Sequence, residues 1–389
     1  MSATHPADVV ARLRPRFFAR AADLDRTGEF PVDDFADLRA AGLFGLFAPR
    51  RVGGMEVSYA DYARVAFELA RGNGATALVF NMHASVTGAL AGIPEELARA
   101  MGVGDEFFAA RDRILAAAAE GAFYAVAMSE RGVGSRLSQL TTRYEGVDGG
   151  FHVKGSKSFV SGAGHADAYL VAARSSADDS VVSQFLIPAG TAGLTIESTW
   201  DSLGMRSTSS HDVHLDVVVP ADCLLGGVEG LALLVAQIMP HWMVASYAAV
   251  YVGVAQSCVD AAVEHCQPRL ASLPSVRSRL GRADAAVAAA RLVVDEAARR
   301  VSEAPGEPET NRWVWRAKYL AGTTAMDVAA SLLEAAGTSA SRRGHPLERL
   351  FRDARCGSLQ PATSDVCADW LGIATLGGDP DSDGVAPRW

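Results

Sequence analysis

The chain has 389 residues, 49% of them hydrophobic, enough to bury a large core and to build two or three packed units under one fold. Its formal net charge is −9, with Arg and Lys scattered among Asp and Glu, so no basic face suits phosphate-backbone binding and nucleic acid is not expected as a partner. Five cysteines (Cys223, Cys258, Cys266, Cys356, Cys367) are odd in number and lack CxxC spacing, and the nine histidines do not pair at ligand spacing, which argues against a disulfide framework and a metal site.

The first residues carry no apolar run after their basic ones, so export is not expected and the chain is read as cytoplasmic. Over residues 1–123 apolar positions recur three and four apart, as in DDFADLRAAGLFGLF and YADYARVAFELARG, which predicts an N-terminal helical domain. PRRVGG at 49–54 and GNG at 72–74 are expected to break helices, because glycine tolerates backbone angles that other residues avoid.

Over 124–227 the period changes to two. The runs FHVK (151–154), YLVA (169–172), QFLI (184–187) and VHLDVVV (213–219) lie between Gly, Asp and Pro clusters, which predicts an antiparallel barrel or sandwich inserted between helical parts. From 228 to 376 the helical period returns in Ala-rich stretches, predicting a C-terminal bundle with a loop at 303–309. The tail, 377–389, has turn formers and few core residues and is expected to be extended or mobile. One apolar stretch, 231–263, is long enough to suggest a membrane, but Gln237, Pro240, His241, Ser246 and Gln256 interrupt it, so it reads as a buried helix and no membrane is expected.

Motifs at the junctions resemble those of one family, the acyl-CoA dehydrogenases, over nearly the whole length. GLFAPRRVGG (45–54) and NMHAS (81–85) are similar to its first helix-breaking turn and following buried helix. AMSERGVGS (127–135) resembles the T-E-P-G-A-G-S loop that lies against the flavin, and KSFVS (157–161) resembles the K-x-W-I-T strand. SLGMRSTSSH (202–211) and VPADCLLG (219–226) resemble the L-G-M-R loop and the exit from the β-domain, and PLERLFRDAR (346–355) the P-x-x-R-x-x-R-D-A-K signature.

The resemblance implies a mainly α fold with a central β-domain: N-terminal helices, a middle β-barrel and a C-terminal four-helix bundle, in a homo-oligomer (dimer or tetramer) that binds FAD. Carried over, it puts Met128 and Ser129 at the isoalloxazine and Gly134 and Ser135 at the flavin and substrate mouth. Phe159 replaces the tryptophan beside the flavin, and Ser161 the threonine whose hydroxyl polarises N5. Arg269 falls where an arginine reaches the FAD pyrophosphate of a neighbouring subunit, and Gly337 in the turn near the adenine half. Arg352 and Asp353 are expected to form a structural ion pair.

In the family's desaturating members a glutamate follows the R-D-A-K segment and removes the substrate's α-proton. The same count here gives LQPAT (359–363), so Pro361 stands in its place. A pyrrolidine cannot accept a proton, nor supply the backbone N–H that binds the thioester carbonyl. The alternative helical position falls on Met243, again not a carboxylate. His241 and His83 become the candidate bases, each also readable as a satisfied core histidine, with Asp365 and Glu334 behind them.

Three functions stay open on these residues. The first is oxidation of an acyl thioester, carried on CoA or on an acyl carrier protein, with electrons passing to an acceptor flavoprotein or to O2. RDARCG (352–357) with Pro361 resembles the branch found in polyketide pathways, which would place such an enzyme in secondary metabolism. The second is a monooxygenase that takes reduced flavin from a separate reductase, a branch that PSVRSRLG (274–281) resembles. The third is a non-redox protein on the same scaffold.

Overall fold

The computed structural model describes residues 5–238 and 243–380. Six helices come first: α1 (Pro6–Thr27), α2 (Val32–Ala40), α3 (Tyr59–Gly72), α4 (Gly74–Gly92), α5 (Glu95–Ala100) and α6 (Asp105–Ala119). Their starts follow from capping chemistry. His5 accepts from the Ala7 N–H with Pro6 in the first turn, Ser58 accepts from Asp61, and Asn73 accepts from Ala75.

The glycines of 72–74 serve a different purpose from the one expected. Gly72 ends α3 and Gly74 opens α4, and neither needs a left-handed backbone; a Cβ at Gly72 would sit 2.9 Å from Cβ of Phe17, and one at Gly74 2.9 Å from Val254. They are small because α1 and the helix that carries Val254 press against the α3–α4 corner. At 53–54 glycine is required by the turn itself: Gly53 has φ +89, and a Cβ on Gly54 would meet the Ala48 carbonyl oxygen at 1.9 Å.

Seven strands follow: β1 (Tyr124–Ala127), β2 (Arg143–Val147), β3 (Gly150–Val160), β4 (Ala168–Ser175), β5 (Val182–Pro188), β6 (Leu194–Glu197) and β7 (His211–Pro220). They form one sheet in the order β1-β4-β2-β3-β7-β6, with β5 on the other side of β4. The sheet is mixed, not antiparallel throughout, because β1 and β2 both run parallel to β4. Alternation in sequence reports which face of a strand is covered and carries no information on the direction of its neighbour. At β4 even the alternation is lost, since nearly every residue is buried, as befits a strand covered on both faces.

The C-terminal part holds α7 (Leu231–Ile238), a π-helical segment (Met243–Ala249) running directly into α8 (Val250–Cys266), then α9 (Pro274–Glu303), α10 (Pro308–Ala336), α11 (Pro346–Arg355) and α12 (Ser364–Thr375). Within the apolar stretch 231–263 the described residues are helical on both sides of 239–242, and the register changes where the π segment enters α8. Among the described residues no helix is long and apolar enough to cross a membrane. The expected break falls between α9 and α10, where Pro308 starts the second helix. Ala290, Ala297 and Ala298 of α9 and Ala317, Ala321 and Ala325 of α10 are buried in one core, and small side chains of this kind let the two helices pack closely. Gly253 brings α8 onto α3, where a Cβ would lie 2.5 Å from the Phe67 carbonyl oxygen. Residues 381–389 of the tail lie outside the described residues.

Candidate active site

The loop between β1 and β2 is anchored by a buried ion pair. Glu130 is 3% exposed and accepts from the Thr141 N–H and hydroxyl at 2.6 Å each, from the Thr142 N–H at 3.1 Å and from Lys157 Nζ at 2.7 Å. Burial opposes ionisation of Glu130, but the Lys157 ammonium and the Thr141 donors outweigh it and hold the carboxyl down at about 2. Burial lowers Lys157 to about 8 against the pull of Glu130. The Ser158 N–H also donates to the Ser129 carbonyl at 2.8 Å, so the loop is stitched to β3. Met128 and Ser129 remain partly exposed beside Gly132 (φ +80) and Gly134 (φ +73), where a Cβ would meet nothing within 4 Å; Ser135 is partly exposed next to them. The loop therefore offers backbone and small polar groups to an open space, which suits the edge of a flat heteroaromatic ring.

The end of β3 is bent. Its register against β7 shifts between Lys157 and Val160, and Phe159 within that bulge has φ +58. A left-handed backbone costs a residue with a Cβ about 1 kcal/mol. The conformation presents the ring outward, 60% exposed, edge-on to Trp200 with centroids 6.3 Å apart. Ser161, 8% exposed, lies two residues on; its Oγ is 2.9 Å from Ser210 Oγ, which is 2.7 Å from Thr208 Oγ1. Met205 (φ 53) and Ser209 (φ 45) flank this hydroxyl row with further left-handed backbone. Strain concentrated around one open aromatic is the pattern of a ligand site.

The loop that carries Leu203 and Met205 is fastened to α11 by two residues expected to pair with each other. Asp353 Oδ1 accepts the Met205 N–H at 2.6 Å, while Arg352 donates to the Leu203 carbonyl at 2.9 Å and forms ion pairs with Asp25 at 2.6 Å and Glu348 at 2.7 Å. Consecutive helical side chains diverge by about 100°, so Arg352 and Asp353 serve different partners. No room is left between loop and helix: a Cβ on Gly204 would be 2.3 Å from the Arg352 carbonyl oxygen.

A second anchor has no motif in the sequence. Lys318, fully buried in α10, donates to the carbonyls of Gly357 at 2.8 Å and Gln360 at 3.3 Å. Burial brings its ammonium down to about 8. The Tyr251 hydroxyl donates to Gln360 Oε1 at 2.8 Å, and its ring occupies the space that a Cβ on Gly357 would need. Together they set the backbone that leads to the partly exposed Pro361. One lysine within an otherwise apolar face of an Ala-rich helix was the available signal.

His83 is a structural residue. Its Nε2 lies 2.8 Å from the Phe44 carbonyl oxygen and its Nδ1 accepts the Tyr124 N–H at 3.2 Å, so neither nitrogen is left for a substrate proton, and burial lowers its pKa to about 4. His241 lies outside the described residues. Met243 is fully buried, Glu334 pairs with Arg279 at 2.5 Å, and Asp365 is exposed in the first turn of α12. Arg269 and Gly337 are exposed just beyond α8 and α10, whose ends are joined where His265 Nε2 meets the Ala336 carbonyl at 3.2 Å. Among the described residues no group of His, Cys, Asp and Glu could hold a metal ion.

An apolar cavity of about 50 Å3 lies between α4, α5, α6, the sheet and α7, with Leu90, Ile93, Met101, Phe107 and Leu170 in its wall. Met128 of the 127–135 loop packs against the apolar cluster that includes Leu90, Phe107 and Leu170.

Three family models match the chain: acyl-CoA dehydrogenase N-terminal domain over residues 8–101, middle domain over 125–218 and C-terminal domain over 245–363. A putative acyl-CoA dehydrogenase of Bacillus subtilis is 29% identical over 371 residues, covering 92% of this chain and 93% of that protein. An L-evernosamine nitrososynthase of a Micromonospora species is 31% identical over 411 residues, covering 98% and 92%. Among solved structures, FMN-bound TdsC of a Paenibacillus species superposes with a TM-score of 0.85 at 25% identity, covering 96% of this chain and 97% of that one; TdsC is a dibenzothiophene monooxygenase.

Proposed function

Given that the chain belongs to the acyl-CoA dehydrogenase family and is a flavin-dependent oxidoreductase, we propose that it is a monooxygenase, consuming reduced flavin and O2. One oxygen atom goes to the substrate and the other leaves as water, with two electrons supplied by the reduced flavin. The observation that carries this reading is Pro361. Without a carboxylate or an N–H there, and with both nitrogens of His83 bonded to backbone, these residues supply no base for an α-proton. Oxygen transfer to a nucleophilic atom needs none, because the substrate provides the electron pair. The likeness to a nitrososynthase along nearly the whole chain supports an amine as that atom.

The described residues fit a flavin ring. The bulge at Phe159 offers an aromatic face, Met128 and Ser129 offer the edge of the 127–135 loop, and Ser161 offers a hydroxyl. When bound, the flavin supplies the redox chemistry. The protein's own residues would hold the ring, with Ser129 and Ser161 offering hydrogen bonds at its edge and the apolar cluster behind Met128 helping to exclude water.

A second reading, dehydrogenation of an acyl thioester on CoA or a carrier protein, is favoured by the likeness to the Bacillus protein. It requires a base such as His241 and an acceptor flavoprotein or O2. In either case the resemblance would have Arg269 reach the FAD pyrophosphate of a neighbouring copy, with Gly337 near the adenine half. The two readings separate in one experiment. The purified protein is loaded with flavin and mixed with acyl-CoA without oxygen; bleaching of the flavin supports the dehydrogenase. Under the monooxygenase reading the flavin stays yellow, and externally reduced flavin with O2 and an amino sugar yields an N-oxidised product.

A further inference from the structure

We propose that Ser210 and Thr208 are positioning residues that fix the Ser161 hydroxyl as a hydrogen-bond acceptor toward the flavin, so that the site selects the reduced ring. The inference rests on the assignment of Ser161 to flavin N5. It follows from counting protons along a row of three hydroxyls that ends on a carbonyl.

Thr208 Oγ1 lies 3.0 Å from the Met205 carbonyl oxygen. A carbonyl only accepts, so the single Thr208 proton belongs to that bond; two oxygens at this distance with no proton between them would repel. The Met205 oxygen also receives the Thr208 N–H at 3.2 Å and Trp200 Nε1 at 3.3 Å, and the hydroxyl is the nearest of its three donors. With its own proton committed, Thr208 can meet Ser210 at 2.7 Å only as an acceptor, which uses the Ser210 proton. Ser210 can then meet Ser161 at 2.9 Å only as an acceptor, which uses the Ser161 proton. All three hydroxyls thus point inward. What Ser161 turns outward is lone pairs.

The row is well insulated, since Thr208 is 0%, Ser210 5% and Ser161 8% exposed, so water does not readily replace a member. Its geometry is imposed: Met205 and Ser209, on either side of Thr208, adopt left-handed backbone, and Asp353 holds the Met205 N–H at 2.6 Å. N5 of oxidised flavin is an acceptor and would face the Ser161 lone pairs without a proton. In reduced flavin N5 carries hydrogen and would donate to them. One hydrogen bond gained by the reduced form and denied to the oxidised form amounts to about tenfold in relative affinity.

The test compares dissociation constants of oxidised FMN and of photoreduced FMN under anaerobic conditions, read by quenching of tryptophan fluorescence. Wild type is expected to bind the reduced form at least about tenfold more tightly, which for a bound two-electron couple is about 30 mV in potential. In Ser210→Ala the Ser161 proton is freed to turn outward, so oxidised FMN gains affinity and the ratio falls toward one. Ser210→Thr keeps the hydroxyl and keeps the ratio. Ser161→Ala also lowers the ratio, but by weakening the reduced form. Wild type that favours oxidised FMN, or a Ser210→Ala ratio within twofold of wild type, overturns the proposal. Failure of wild type to bind either form overturns the flavin assignment and the proposal together, whereas Ser161→Ala leaving both affinities unchanged removes Ser161 from N5 specifically.

Discussion

Lys157 Nζ donates to Glu130 Oε1 at 2.7 Å with both side chains out of solvent, and this contact helps tie the loop that faces the candidate flavin site to the strand that carries Phe159. A buried pair of this kind adds little net stability while intact, but removing one partner leaves a charge without compensation. Lys157→Met is expected to cost about 3–5 kcal/mol in chemical denaturation and to release Thr141 and Thr142 from their ordered bonds to Glu130. The double change of Lys157→Met with Glu130→Gln should recover part of that loss. A single-mutant cost under about 1 kcal/mol would show that the pair is not structural.

Acid stability should fall in two steps. His83 is held at about 4, below its ordinary 6.5, so the unfolded chain binds its proton first and stability is lost as pH drops from 6.5 to 4, by roughly 3 kcal/mol. Glu130 is held at about 2, below its ordinary 4.5, so its contribution is present above 4.5 and disappears as pH falls from there toward 2. Denaturant midpoints measured across this range should show both slopes. His83→Gln, which can still donate to the Phe44 carbonyl, should flatten the first and leave the second; a wild-type profile level between pH 6.5 and 4 contradicts the assignment.

Phe159 should matter for binding and not for folding. Phe159→Gly removes a side chain that is 60% exposed and relaxes a backbone at φ +58, so folding stability should change by less than about 1 kcal/mol. Flavin affinity should weaken about tenfold through loss of the aromatic face. If instead the variant unfolds readily and binds flavin as wild type does, the ring is a core element.

Asp353 should act through the loop it holds. Asp353→Ala orphans the buried Met205 N–H and removes the carboxylate beside Arg349, with an expected cost of about 3 kcal/mol. Asp353→Asn retains an acceptor for Met205 and should cost less than half as much. Because Met205 ends the hydroxyl row, Asp353→Ala should also loosen flavin binding; retention of wild-type affinity would separate the loop from the site.

Much of the architecture was legible from local pattern, because helical and strand periods report which side chains turn inward over a few residues. The change of period near 124 and its return after 228 report a strand-rich middle part between helical ones, and that Pro361 can accept no proton follows from residue identity alone. Partners distant in the chain were not legible. Nothing in RDAR foretells that Arg352 reaches Asp25 while Asp353 takes the Met205 N–H, 148 residues away. Nor does NMHAS reveal that both His83 nitrogens meet backbone.

By itself the sequence determined the three-part alternation of helix and strand, the family motifs along it and the presence of proline at 361, since each depends on which residue occupies a position. Tertiary structure alone decided that β1 and β2 run parallel to β4, that Lys318 and Tyr251 brace the segment before Pro361, and that the hydroxyls of Ser161, Ser210 and Thr208 stand in one row. The reason is that hydrogen-bond direction and strand pairing depend on atoms brought within about 3 Å by packing across the fold, a distance that no local pattern encodes.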